Sequence, residues 1–274
     1  LSPLITRITL IGPGRIHDAA VTLSLDNVEP RPDRTIIITP YPQHTIDDML
    51  GGAWGLDLSK YEFVDDNYFD QFYDLNQYKE NKWYYQQMLK LCSIDHFDSE
   101  YFLLQDSDQV QLKPYHMFVN GNINMKCEEL FNPYQTIYAD GVEELTGLKR
   151  TFQYSLCNEM MPVEKKDWHN LKQLIEQKTG YTWLEAVAKI RPMEPVKWFS
   201  EFELLGIYKT NIDDTVETFV GNPQPPINNW EDFYATDWTK QDTCKFLTAP
   251  LKYMQCTQAK QVYEHFKHII QKET

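Results

Sequence analysis

Two aspartates one residue apart, Asp106 and Asp108, follow the apolar run Tyr101–Leu104 in the segment YFLLQDSDQVQLKPY. In extended chain, residues i and i+2 project to the same side, so both carboxylates can converge on one point. Hard oxygen donors in this number suit Mg2+ or Mn2+, which commonly take one or two carboxylates together with substrate phosphates. The spacing alone is common; its position carries the information. The apolar run predicts a buried strand, and carboxylates at its exit are costly unless solvated or bound. In an open α/β sheet, ligands collect at the carboxyl ends of strands. The competing reading is a solvated turn whose aspartates accept backbone N–H groups.

The elements that must position this pair come from periodicity. Leu4–Ile11 is β-branched and apolar and stops at Gly12-Pro13-Gly14; residues from about Arg15 to Leu25 have helical spacing. Thr35–Thr39 and Tyr61–Val64 read as short strands, residues 43–50 as a short helix, and Asn81–Cys92 as a strong helix. Repeated strand–helix–strand units of this size predict an α/β fold with a mainly parallel, Rossmann-like mixed sheet and helices on both faces. Further along, Met117–Asn120, Ile123–Lys126 and Thr136–Tyr138 are expected as strands. Gly141–Leu148, Val163–Lys178, Thr182–Ile190 and Gln258–Lys272 are expected as helices, and the Pro- and Asn-rich Val220–Asn229 as a loop. Without an evident linker, residues 1–274 read as a single domain.

Composition narrows the partners. Forty acidic against 26 basic residues give a formal charge of −14, which opposes broad binding to nucleic acid or an anionic membrane surface. No apolar run reaches the roughly 18 residues a membrane span needs. The five cysteines, Cys92, Cys127, Cys157, Cys244 and Cys256, form no CxxC pair, which argues for a reducing compartment. The expectation is a soluble, cytoplasmic protein. No HExxH, P-loop, GxGxxG or GxSxG pattern occurs, weakening zincin, ATPase, dehydrogenase and α/β-hydrolase readings.

The segment LLQDSDQVQLKP resembles the DxD segment of GT-A-fold, nucleotide-sugar-dependent glycosyltransferases: an apolar strand, DxD, an apolar residue, then Pro. WYYQQMLKL, residues 83–91, is similar to the W-x-x-QQ-x-x-K-L helix preceding DxD in one group of viral and bacterial members. WFSEFELLGIY, residues 198–208, is similar to the S-E-x-E-L-x-G-x-Y segment that follows it. The three segments stand in the expected order, and the whole resembles glycosyltransferase sequences of large chlorella viruses; for a viral protein the compartment would be the host cytoplasm.

The resemblance implies a nucleoside diphosphate sugar donor (UDP), a carbohydrate or glycoprotein acceptor, and Mn2+ or Mg2+ as cofactor, with the half to about residue 110 binding the nucleotide sugar and the half over about 111–274 the acceptor. It implies that Asp108 holds the metal directly and that Asp106 binds the ribose or reaches the metal through water. The loop Ile11–Arg15 resembles the nucleotide-binding edge of that fold, where Gly12 would let a phosphate approach the backbone and Arg15 would meet it; a plain strand-to-helix turn is the alternative. Gln86, Gln87 and Lys90 would hold a donor hydroxyl or phosphate, Gln86 and Lys90 sharing a helix face as i and i+4. An inverting reaction needs a carboxylate base; Glu201, Glu203 and Glu159 are candidates and Asp140 a weaker one. Tyr41 could stack on the base or pack a loop, and Trp198, beside the SEFEL segment, is expected near the acceptor. His265 and His268, at i and i+3, could suit a metal but match a surface pair better. The rivals are a nucleotidyltransferase and a non-catalytic carbohydrate-binding protein on a transferase fold.

Overall fold

The computed structural model describes residues 3–128, 133–156, 160–193, 198–221, 227, 229–245 and 254–273. Strand Ile5–Leu10 (β1) is buried along its whole length, as a strand covered on both faces must be. Helix Ile16–Ser24 (α1), strands Arg34–Thr39 (β2) and Glu62–Asp65 (β3), helix Lys82–His96 (α2) and strand Tyr101–Asp106 (β4) follow. Next come strands Gln109–Gln111 (β5) and Asn122–Cys127 (β6), helix Pro133–Thr146 (α3) and strand Met160–Glu164 (β7). Helices Lys165–Thr179 (α4), Trp183–Ile190 (α5) and Glu201–Ile212 (α6), strands Glu217–Val220 (β8) and Thr243–Lys245 (β9), and helix Cys256–Glu273 (α7) complete these elements.

The central sheet has the order β7–β4–β1–β2–β3 and is mainly parallel. β2 and β3 run parallel with Ile36 opposite Glu62; β7 closes one edge antiparallel to β4, with Met160 opposite Gln105. The chain steps from β1 to β2 to β3 in one direction and then returns with β4 to the other side of β1. A reversal of strand order of this kind opens a ligand crevice at the strand ends. The fold is the mixed α/β architecture that the alternating segments predicted.

The chain's contacts gather into two compact units. The first comprises Leu1–Ile8, Asn67–Gln105 and Phe118–Val220. Its helix α2 starts at Asn81, whose side chain accepts the Trp83 and Tyr84 N–H groups and satisfies donors the first turn leaves unpaired. Trp168 of α4 meets Trp183 of α5 edge-on, with ring centroids 5.0 Å apart. The second unit comprises Thr9–Asp66, Asp106–Met117 and Gly221–Thr274. Here α1 lies between two apolar clusters. Ile16, Ala19, Ala20 and Leu23 pack with Ile37, Ile46 and Leu50, while Val21 and Leu25 pack with Val110, Leu112, Phe233, Trp238 and Phe266.

Three expectations for local structure need correction. Thr136–Tyr138 is part of helix α3, not a strand: Tyr138, Val142 and Leu145, at i, i+4 and i+7, are buried apolar residues of it, a helical period that outweighs the β-forming Thr-Ile-Tyr triplet. Met160–Glu164 is a strand, so the following helix begins at Lys165 rather than Val163; Pro162 is tolerated because the strand lies at the sheet edge. Residues 43–50 split into a short helix, Gln43–Ile46, and a wider turn of helix, Asp47–Ala53. Most of the expected loop Val220–Asn229 lies outside the described residues. Among the described residues, no helix is long and apolar enough to cross a membrane.

Candidate functional site

The loop after β1 and the turn after β4 meet in the second unit. The Arg15 N–H donates to the Gly12 carbonyl at 3.1 Å and closes a turn. Gly14 has a φ of 81°, in the left-handed region where a side chain is strained. Its N–H donates to the Tyr41 hydroxyl at 2.6 Å, so Tyr41 shapes this loop. On the other side, the Thr22 hydroxyl of α1 donates to the Ser107 carbonyl at 2.9 Å and pins the turn between Asp106 and Asp108 to the helix.

Arg15 spans the two loops. Its Nη2 donates to Asp108 Oδ2 at 2.6 Å and its Nη1 to Asp18 Oδ2 at 2.5 Å. Asp18 was not among the expected site residues. It is fully buried on α1, and its Oδ1 accepts the Met254 N–H at 3.3 Å. Burial pushes its carboxyl up to about 6, against the pull of Arg15 and of the Met254 N–H, with the Asp108 charge adding to the rise. One signal in the sequence could have found it: an acid three residues after Arg15, in the first turn of a helix that is otherwise apolar on two sides.

Asp106 and Asp108 are oxygen donors of the kind a divalent cation takes. Asp108 binds a positive group, the Arg15 guanidinium; Asp106 ends β4, and Ser107 and Asp108 form a turn, so the extended i, i+2 geometry expected for the pair is corrected to a strand end followed by a turn. Among the described residues, no group of three or more His, Cys, Asp or Glu gathers as metal ligands. Two carboxylates are what Mg2+ or Mn2+ takes from a protein when substrate phosphates and water supply the rest.

The other expected residues meet one another in the first unit. Lys90 Nζ donates to Glu201 Oε1 at 2.7 Å, with side-chain exposures of 5% and 3%. Gln87 Oε1 accepts the Glu201 N–H at 2.9 Å, and Lys90 Nζ sits 4.3 Å from the Phe202 ring centre. The two motif segments, residues 83–91 and 198–208, therefore dock on each other. Gln86 is exposed. It is Gln87, at i+3 spacing, that points inward with Lys90, not Gln86, which corrects the shared face expected for Gln86 and Lys90.

Glu203 is more enclosed still. Its Oε1 accepts from Arg150 Nε at 2.7 Å and from Nη2, and its Oε2 accepts from the Ser155 hydroxyl at 2.8 Å and the Leu156 N–H at 3.0 Å. Burial pushes its carboxyl above the usual range, while Arg150, Ser155 and the Leu156 N–H pull it back. A carboxylate closed by internal donors at 0% exposure has no oxygen to offer an acceptor hydroxyl, so its expected role as a base is corrected to one in packing. Glu201 is buried as well, at 3% exposure with its Oε1 on Lys90. Glu159 lies outside the described residues, and Asp140 is exposed on α3.

Trp198 is also corrected: it is a core residue at 1% exposure rather than an acceptor platform. A Cβ on Gly141 would lie 2.3 Å from its carbonyl oxygen and 2.6 Å from its ring, so a glycine is required where α3 passes it. His265 lies among Phe233, Tyr234 and Phe266; burial and His268 push its imidazole below the ordinary value.

With this geometry in place, similarity to solved structures is informative. An active-site mutant of LgtC matches with a TM-score of 0.50 at 11% identity, covering 95% of this chain and 95% of that one. The galactosyltransferase LgtC in complex with donor and acceptor sugar analogs has a TM-score of 0.47 at 11% identity and the same coverage of 95% of each chain. Glucosyl-3-phosphoglycerate synthase from Mycobacterium tuberculosis, in complex with Mn2+, UDP and glucosyl-3-phosphoglycerate, has a TM-score of 0.45 at 11% identity, covering 85% of this chain and 76% of that one. The first of these likenesses shows the fold, that of GT-A glycosyltransferases. No curated protein matches the sequence. Residues 31–225 match DUF6492, a family of unknown function, and the chain belongs to that family.

Proposed function

We propose that this chain is a glycosyltransferase that moves a sugar from a nucleoside diphosphate sugar, UDP being the nucleotide the motif resemblance favours, to a hydroxyl acceptor with Mn2+ or Mg2+. The observation that carries the reading is the contact between Arg15 and Asp108, 2.6 Å, at the exits of two neighbouring strands where the strand order reverses. Asp108 and Asp106 would hold the cation, and Arg15 would meet the diphosphate. When bound, the cation supplies Lewis-acid stabilisation of the charge left on the diphosphate as the anomeric C–O bond breaks.

The chain's own residues do the rest. Gly12 and Gly14 keep side chains away from the loop that a phosphate would approach. Thr22 and Tyr41 fix the two loops against α1 and β2, so the acidic pair and the guanidinium need little reorganisation when a donor arrives. The −14 charge disfavours polyanions over the whole surface; a single guanidinium at the strand ends provides the local exception for one diphosphate.

The test is a panel of nucleotide sugars screened by thermal shift with and without Mn2+, with release of free nucleotide followed in parallel. The reading expects cation-dependent stabilisation by at least one UDP-sugar and its loss in Asp108→Ala. Stabilisation that needs no cation would overturn the metal assignment. The absence of nucleotide release with every donor and acceptor tried would overturn the transferase.

A further inference from the structure

Arg15 is shared between two carboxylates that differ in one respect. Asp18 is fully buried on α1 between the two apolar clusters of the second unit, and it is tied down a second time by the Met254 N–H. Asp108 sits on a turn, and its side chain is 15% exposed, as Arg15 is at 14%. A guanidinium is a rigid planar fork whose nitrogens can serve different acceptors at once. One tine is anchored in the interior; the other reaches the solvent margin.

We propose that Arg15 is the resident counter-ion of Asp108, giving Asp108 up to the divalent cation and turning the released nitrogen to the donor diphosphate, while Asp18 keeps the guanidinium in place throughout. Asp18 is then a positioning residue that acts only through Arg15. This inference rests on the metal and donor assignment proposed above and adds an exchange of partners to it. The exchange has a simple electrostatic basis. Before the cation arrives, an unpaired carboxylate cluster would repel the incoming diphosphate, and Arg15 suppresses that repulsion. After it arrives, Arg15 and the cation would repel each other at Asp108, and the diphosphate offers Arg15 charge-assisted, bidentate acceptors. The anchor at Asp18 limits how far the side chain can swing, so less freedom is lost on binding.

The exchange has a signature that a merely structural arginine lacks: two affinities that move in opposite directions. Mn2+ alone is titrated into the full chain without nucleotide, its free form read by electron paramagnetic resonance. UDP is titrated separately by calorimetry at saturating Mn2+. In Arg15→Met the competitor for Asp108 is gone, so Mn2+ alone binds about tenfold tighter, while UDP binds about tenfold weaker. Arg15→Lys keeps a competing charge without the fork, so its Mn2+ affinity stays near that of the parent and its UDP affinity falls. Asp18→Asn weakens UDP and does not tighten Mn2+, because Arg15 remains on Asp108. Circular dichroism melts establish that each variant is folded. If Arg15→Met leaves Mn2+ binding unchanged, or shifts both affinities the same way, the exchange is overturned. Asp108→Ala separates the two levels: unchanged Mn2+ binding there defeats the metal assignment itself, whereas loss of Mn2+ there with no tightening in Arg15→Met defeats the exchange alone.

Discussion

Each unit carries a network of carboxylates and cations, and the two differ in their access to water. In the first unit, Glu203 has both oxygens closed by Arg150, Ser155 and Leu156, and Lys90 and Glu201 retain 5% and 3% exposure. In the second, the Arg15–Asp108 pair keeps 14% and 15% exposure beside a fully buried Asp18. A fully enclosed pair cannot trade partners, because removing one leaves a charge with nowhere to go. A pair at the solvent margin can. Acids that look equally catalytic in a motif are thus sorted by enclosure: Glu201 ties α6 to α2 and Glu203 ties α6 to the segment Arg150–Leu156, while Asp108 stays at the solvent margin.

The sharpest way to break this distinction is to remove an acid from each network. Glu203→Ala strands Arg150 together with the Ser155 hydroxyl and the Leu156 N–H, and is expected to cost about 3–5 kcal/mol in urea unfolding. Asp108→Ala leaves Arg15 paired with Asp18 and is expected to cost about 1 kcal/mol or less. Equal costs would erase the contrast. The Lys90–Glu201 pair refines it. Lys90→Met alone should destabilise by about 3 kcal/mol, and adding Glu201→Leu should restore most of that, since an apolar pair can replace a buried ion pair of similar volume. A double variant no better than the single would show that the two residues do not act as a pair.

The same sorting explains what the sequence could disclose. The buried strands were legible because β-branched runs such as Ile36–Ile38 have few alternatives, and the strand exit at Asp106 followed from where the apolar run ended. Helix α3 was not, because Thr136–Tyr138 carries strand propensity locally and only the longer Tyr138–Val142–Leu145 period shows the helix. The motif residues of 198–208 were legible as a pattern but not as a purpose. Ser200 caps α6 by accepting the Glu203 N–H at 3.4 Å, Glu201 and Glu203 reach different partners, and Gly206 lies against Leu156. Apart from the Ser200 cap, none of these contacts is local in sequence, so no spacing rule could separate a packing motif from a catalytic one. Asp18 was missed for the converse reason: a lone helical acid gives no sign of burial until its neighbours are in place.

Gly206 gives a smaller test of the architectural reading. A Cβ there would lie 2.3 Å from Leu156 Cδ1 and 2.7 Å from its Cβ, and Leu156 is itself fully buried. Gly206→Ala should therefore destabilise by about 1–3 kcal/mol despite the better helix propensity of alanine. A variant as stable as the parent would mean that α6 can shift freely, and that the segment is not held as tightly as its closed carboxylates suggest.

The finest contrast between the two units is the response to acid of two of their carboxylates, Asp18 and Glu164. Burial holds the Asp18 carboxyl up at about 6 in the folded chain, against an ordinary value of 3.8. Between those pH values the folded state binds the proton more tightly than the unfolded state. Asp18 therefore contributes stability that is present below about pH 4 and lost as pH rises through about 6. Glu164 in the first unit behaves oppositely. Burial works against its charge, but hydrogen bonds from Lys166 and Lys209 hold its carboxyl down to about 2, against an ordinary 4.5. Its contribution is present above about pH 4.5 and lost as pH falls towards 2. Urea melts at several pH values should show the stability difference between the parent and Asp18→Asn shrinking by about 1–3 kcal/mol from pH 4 to pH 7. The difference between the parent and Glu164→Gln should grow over the same rise in pH. If the Asp18 difference instead grows with pH, Arg15 outweighs burial at Asp18, and the acid that anchors the fork is held as firmly as those in the first unit.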